Sequence, residues 1–208
     1  MISLQAYLAD PCGALSIPYW KAKELSIPAG MEIVHHSRFD EGMAAGRSHS
    51  RFFRLLHRLR DIPRPASPPG VTFGPVSPDR AGELAGLINR CYRHSGIQVT
   101  EGEVRGWAAA PVYRPELWLG AFAAGGLVGC VIGAFDPEEG EGVIEWLQVL
   151  PEYRGRGIAV SLTARALEAM RGFAGFATVS GECENPTRPE GVYRACGFEG
   201  EDVWHILR

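Results

Sequence analysis

The chain has 208 residues, of which 46% are hydrophobic and 22% charged, and carries a net charge of −3. That composition excludes wholesale disorder, and a chain of this length buries a sizeable core without staples; no apolar run reaches the roughly 18 residues of a membrane helix. Residues 1–70 hold nine Lys/Arg against six Asp/Glu, whereas residues 71–208 hold twelve against eighteen, which opposes a uniformly basic nucleic-acid binder.

Taken in order, residues 1–45 show short apolar stretches without clean periodicity. The start, MISLQAYLADPCG, lacks the basic and apolar regions of a signal peptide, so a cytoplasmic protein is expected. In residues 47–60, RSHSRFFRLLHRLR, Phe52, Leu55, Leu56 and Leu59 recur at helical spacing, with Arg51, Arg54 and Arg58 on another face. The spacing predicts an amphipathic helix. Its basic face reads as solvated charge opposite a packed stripe rather than a surface for RNA or membrane, so neither partner is expected. Ile62–Gly70, rich in proline, reads as a linker between an N-terminal extension, residues 1–61, and a domain spanning residues 71–208.

After the linker, strand and helix patterns alternate. Val71–Val76 reads as a strand, and Ser77-Pro78-Asp79 opens a helix carrying Leu84, Leu87, Ile88, Cys91 and Tyr92 on one face. Thr100 and Glu103 fit a capping box for a weaker helix over 100–109. Leu117–Ala123 and Leu127–Phe135 form a predicted hairpin around Ala124-Gly125-Gly126, and Gly142–Leu150 is a further strand. Ile158–Phe173 predicts a strong helix with Leu162, Ala166 and Met170 inward; Ala177–Gly181, Pro189–Cys196 and Val203–Leu207 follow as strand, short helix and closing strand. This order predicts an α/β domain of the α+β type: a mixed, largely antiparallel sheet flanked by helices.

Chemistry concentrates where the strand ending at Leu150 runs through Pro151-Glu-Tyr-Arg154-Gly-Arg-Gly157-Ile-Ala159 into a helix. Small residues let a ligand approach the backbone, the helix start offers unpaired N–H groups, and Arg154 and Arg156 add charge: a pyrophosphate site. A Walker A loop is excluded, since no lysine follows Lys23, and Val160 stands where a dinucleotide-binding fingerprint needs a small residue. The five cysteines (Cys12, Cys91, Cys130, Cys183 and Cys196) show no Cys-x-x-Cys pair and read as free thiols. The six histidines lack metal spacing, so no metal is expected.

Arg154-Gly-Arg-Gly157-Ile-Ala159, preceded by Val149-Leu-Pro-Glu-Tyr153 and followed by Asn185, Tyr193 and Gly197-Phe198, resembles the pattern of the GNAT superfamily of N-acetyltransferases over about residues 71–208. The resemblance implies transfer of an acetyl or other acyl group from acetyl-CoA to a primary amine. It implies that the backbone of Leu147, Gln148 and Val149 pairs with the pantetheine arm. Gly155, Arg156, Gly157, Ile158 and Ala159, with Arg154, would hold the pyrophosphate, and Asn185 would sit near the arm. Tyr193 is the expected proton donor to the departing thiolate. Glu145, read as sharing a strand face with Leu147 and Val149, is the candidate base, with Trp146 and Gln148 on the opposite face as packing residues.

The acceptor is expected to meet residues 94–98 and the stretch from Trp107 to Trp118. A polyamine, an amino acid, a peptide N-terminus and an antibiotic all remain open, the acidic balance leaning toward a cationic one. Residues 1–60 have three open roles: a cover over the acceptor mouth, a contact in a homodimer, or a scaffold. A catalytically silent acyl-CoA-binding or protein-interaction module is the alternative to an enzyme.

Overall fold

The apolar runs beyond the proline-rich segment become the strands that their patterns predict, but they are joined by two strands from before it. The computed structural model describes residues 2–93 and 96–208. In chain order the strands are β1 (Glu32–His35), β2 (His49–His57), β3 (Thr72–Pro75), β4 (Tyr113–Ala123), β5 (Gly126–Asp136), β6 (Glu141–Val149), β7 (Phe176–Glu182) and β8 (Glu199–Leu207). They form one sheet in the order β1-β8-β2-β7-β6-β5-β4-β3. Every neighbouring pair is antiparallel except β6 and β7.

Among the described residues seven α-helices accompany the sheet: α1 (Leu4–Ala9), α2 (Pro11–Ala14), α3 (Tyr19–Glu24), α4 (Ala81–Tyr92), α5 (Glu101–Ala109), α6 (Ile158–Met170) and α7 (Pro189–Ala195). The capping box at Thr100 and Glu103 forms as the sequence predicts. Leu84, Leu87 and Ile88 of α4 and Leu162, Ala166 and Met170 of α6 are buried in the core. Among the described residues no helix is long and apolar enough to cross a membrane, and the five cysteines are free.

Register and contacts assign the faces. A Cβ placed on Gly129 would meet Ile158, and one on Gly142 would meet Met170, so these positions face α6. Trp146 stacks on Trp107 of α5, and Glu141 accepts a hydrogen bond from Tyr7 of α1. The face opposite α6 therefore carries α5 and the N-terminal helices.

Residues 47–60 are the principal correction. The predicted amphipathic helix is instead the strand β2, seated between β7 and β8. Both sides of the strand are occupied. Phe53 and Leu55 enter the core, while Arg54 points to α1 and α2, so all three are buried. A strand covered on both faces shows a nearly continuous apolar run, and its period of two is masked. The ladder to two neighbours overrides a helix-compatible spacing.

Arg54 explains how a cation tolerates this place. Its guanidinium donates to Glu141 Oε1 (3.1 Å), Tyr7 Oη (2.9 Å), Ser180 Oγ (3.1 Å) and the Pro11 carbonyl (3.3 Å). Glu141 also accepts from Tyr7 Oη (2.7 Å) and from Thr178. Arg54 is 1% exposed and Glu141 fully buried. This network fastens the N-terminal helices to β2, β6 and β7.

A second cluster sits on the β1–β8–β2 edge. His205 Nε2 lies 3.0 Å from His36 Nδ1 and its Nδ1 lies 2.8 Å from His49 Nε2, with Phe39 stacked on the ring. Burial first, then the neighbouring His49 and His36, lower the pKa of His205; burial also lowers that of His57. The unfolded chain takes up these protons first as pH falls, so the fold loses stability on acidification below about pH 6.5, the usual histidine value. Melting temperature should drop more steeply below that pH for the native protein than for His205→Gln. Parallel slopes would remove His205 from the account.

Candidate active site

Among the described residues β6 and β7 form the one parallel pair, and it is also the shortest pairing for each of them. β6 and β7 are paired solely from Glu141–Ile144 to Phe176–Val179. Beyond that, β6 stays with β5 and β7 stays with β2, so the two strands part and leave a V-shaped cleft. Leu150 N–H donates to Val128 O on the β5 side, 2.9 Å. Backbone groups alternate sides along a strand, so those of Gln148 also turn to β5 and those of Leu147 and Val149 face the cleft. Gln148 is thus removed from the residues whose backbone was expected to pair with the pantetheine arm. The edge at Leu147 and Val149 can accept an extended ligand as an added strand.

The cleft leads to the loop before α6. Gly155 (φ +74°) and Gly157 (φ +80°) adopt the left-handed conformation, and a Cβ on either would meet nothing within 4 Å. No side chain caps α6, whose N-cap is Gly157, and the Ile158, Ala159 and Val160 amides lie in its first turn. Free amides and the positive end of a 13-residue helix suit a phosphate group. Ile158 itself is buried and anchors the turn. Arg154 is turned back: its Nε donates to Val149 O (3.0 Å) and its guanidinium lies beside Cys91. It holds the loop against the end of β6. Arg156 is exposed, donates to Glu152 O (2.8 Å) and lies over the Tyr153 ring.

Glu145 occupies a β-bulge. Ile132 pairs with Trp146 and Gly133 with Ile144, which leaves Glu145 as the extra residue. A bulge breaks strict alternation. The structure therefore corrects the expected facing: Glu145 shares a pocket with Trp146 and not the α6 side with Leu147 and Val149. That pocket, of about 280 Å³, is lined by Trp20, Lys21, Trp107, Tyr113, Trp118, Ala134 and neighbours. Glu145 forms an ion pair with Lys21 of α3 through Oε2, while its Oε1 is buried without a partner. Sequence reasoning missed Trp20 and Lys21, because nothing in residues 1–45 signals their place in the fold. A larger pocket of about 530 Å³ lies between Pro63–Pro65, β3 and α6, and shares no residue with the cleft or the bulge.

Tyr193 is buried on α7, its ring 6.2 Å from Phe53 and 5.8 Å from Phe198. Burial, then the nearby Tyr92, push its phenol well above the usual range, so it stays protonated. Tyr92 in turn stands edge-on to Trp146, which links Tyr193 to the bulge side of the cleft. Cys196, one turn on, donates to Val160 O and ties α7 to the start of α6. Asn185 is half-buried and closes its own turn, its Oδ1 accepting from Thr187 N–H (2.9 Å) and Oγ1 (2.7 Å). Of the stretch expected to meet the acceptor, Trp107, Tyr113 and Trp118 do line the pocket; residues 94 and 95 lie outside the described residues.

A splayed parallel pair and an uncapped glycine turn together form a cleft that suits an extended, phosphate-bearing ligand. The family model for the Acetyltransferase (GNAT) family matches residues 81–198, more than half of the chain, and the chain belongs to that family. Membership implies an acyl-CoA donor. Over 53 residues it is 45% identical to an acetyltransferase of Sodalis glossinidius, which covers 26% of this chain and 36% of that protein. A second match, at the same identity over the same length, is an acetyltransferase of Photorhabdus laumondii. Among solved structures, a GCN5-related N-acetyltransferase from Sphaerobacter thermophilus superposes with a TM-score of 0.69 at 21% identity, over 90% of this chain and 62% of that one. The chain thus spans about a third of the length of the curated relatives it matches.

Proposed function

We propose that this acetyltransferase moves an acetyl group from acetyl-CoA directly to a primary amine. The observation that carries the reading is continuity: the open β6 edge runs from the Glu145 bulge to the uncapped start of α6. Acyl-CoA, as donor, supplies the thioester. The Leu147 and Val149 edge would hold its pantetheine arm, and amides from Gly155 to Ala159 its pyrophosphate.

In the transfer, Glu145 takes the proton from the incoming ammonium, directly or through water, and frees the nitrogen lone pair. The C–N bond forms as the C–S bond breaks. The acylated nitrogen then gives up its second proton, which restores the phenol that protonates the sulfur, while Glu145 returns the first proton to solvent. A backbone N–H of the β6 edge donates to the carbonyl oxygen as charge builds there, a contribution of roughly 3–4 kcal/mol where such donors have been removed. Tyr193, kept protonated by burial, gives the departing sulfur its proton.

One observation favours the second reading, a domain that holds acyl-CoA without turnover: Lys21 already occupies one oxygen of the candidate base. Both readings require binding. Acetyl-CoA at a hundredfold excess over its Kd should stabilise the fold by about 2.7 kcal/mol, read as a rise in melting temperature, and bulky residues at Gly155 and Gly157 should abolish the rise. An unchanged melting temperature would sink both. Thiol release on adding amines then separates enzyme from module.

A further inference from the structure

Trp20 and Lys21 reach the bulge pocket from α3, outside the segment that the family model matches. They change what the pocket can hold. Four of the chain's five tryptophans line it: Trp20, Trp107, Trp118 and Trp146. Two polar atoms on its lining residues are buried without partners: the acceptor Glu145 Oε1 and the donor Trp20 Nε1. Beside them the Lys21 ammonium, with its side chain 35% exposed, is paired to Glu145 and lies over the Trp20 ring. The site therefore offers one anion, one cation, one unused acceptor and one unused donor within aromatic walls.

We propose that the acceptor is a free aromatic α-amino acid. The proposal rests on the acyl-transfer reading above. Its ammonium would take Glu145, and its carboxylate would take Lys21 and the Trp20 N–H. A zwitterion placed between Glu145 and Lys21 leaves every charge paired, which is the condition for seating charges in a partly desolvated pocket. A polyamine brings further positive charge next to Lys21 and leaves the indole N–H unused. A peptide N-terminus offers no carboxylate at that position. The side-chain ring would lie against Trp107, Trp146 and Trp118, where aromatic pairs gain beyond simple area burial. The pocket of about 280 Å³ is of a size for one compact ligand.

The test is calorimetric binding of L-phenylalanine, phenethylamine, L-alanine and spermidine to the full chain, followed by thiol release from acetyl-CoA with the same four amines. L-phenylalanine should bind at least about tenfold tighter than each of the others. Lys21→Met should erase its advantage over phenethylamine. Trp20→Phe, which keeps a ring and loses the N–H, should weaken L-phenylalanine several-fold and leave phenethylamine unchanged; it carries the test if Lys21→Met fails to fold. Phenethylamine, L-alanine or spermidine binding as tightly as L-phenylalanine would overturn the proposal, as would equal losses for both aromatic ligands in Trp20→Phe. Selective binding of L-phenylalanine with no thiol released by any amine would uphold this ligand and sink the acyl-transfer reading instead.

Discussion

Arg54→Met is expected to destabilise the protein by about 3–5 kcal/mol, because it strands the charge of Glu141 in a fully buried site. The two side chains are 1% and 0% exposed, and the Tyr7, Thr178, Ser180 and Pro11 contacts all depend on their pairing. Such a loss is a large share of the stability of a single domain. Arg51→Met, on the same strand, is the control. Arg51 pairs with Glu184 at the surface, both about half exposed, so its removal should cost no more than about 1 kcal/mol. Urea unfolding of the two variants gives the comparison. Adding Glu141→Gln to Arg54→Met should recover part of the loss, since it removes the stranded charge. Equal effects at positions 51 and 54 would contradict the role assigned to the network.

Glu145→Gln should lower kcat by about 10²–10⁴-fold, the range that a positioned general base supplies, while leaving the affinity for acetyl-CoA unchanged. The glutamine keeps the size of the side chain and cannot take a proton from the amine. Tyr193→Phe should likewise slow turnover more than it weakens donor binding, because Phe53 and Phe198 would still pack the ring. Steady-state kinetics paired with calorimetry of acetyl-CoA separates the effects. A fully active Glu145→Gln enzyme would exclude the carboxylate as base; a fully active Tyr193→Phe enzyme would exclude the phenol as the acid.

The part of the fold after residue 71 was legible because its elements carry local signals. Thr100 and Glu103 cap α5, Ala124-Gly125-Gly126 turns the β4–β5 hairpin, and glycines mark the loop before α6. The N-terminal part was not legible, for a physical reason. Phe53, Arg54 and Leu55 are all buried because β2 has neighbours on both edges and helices on both faces, and no window of sequence reports contacts made more than a hundred residues away. The same holds for Lys21, whose partner Glu145 lies 124 positions on. At the site, glycine spacing disclosed the loop, but the bulge at Glu145 did not show, since a single extra residue leaves the apolar alternation of β6 nearly intact. Arg154 was visible as a charge, whereas its bond to Val149 O is a property of the folded loop.

Residues 1–60 touch both the sheet and the pocket. Tyr7 and Arg54 brace the root of the β6–β7 cleft, and Trp20 and Lys21 wall the pocket beside it. Under the proposed function, with the acceptor in the bulge pocket, cover and scaffold describe the same segment.

Mass spectrometry of the amine after incubation of the full chain with acetyl-CoA, alongside the thiol released, tests acyl transfer itself. An N-acetylated amine and free coenzyme A are expected in equal amounts, with both lost in Glu145→Gln. Thiol release without an acetylated amine, or acetylated amine formed equally well by Glu145→Gln, would contradict that expectation.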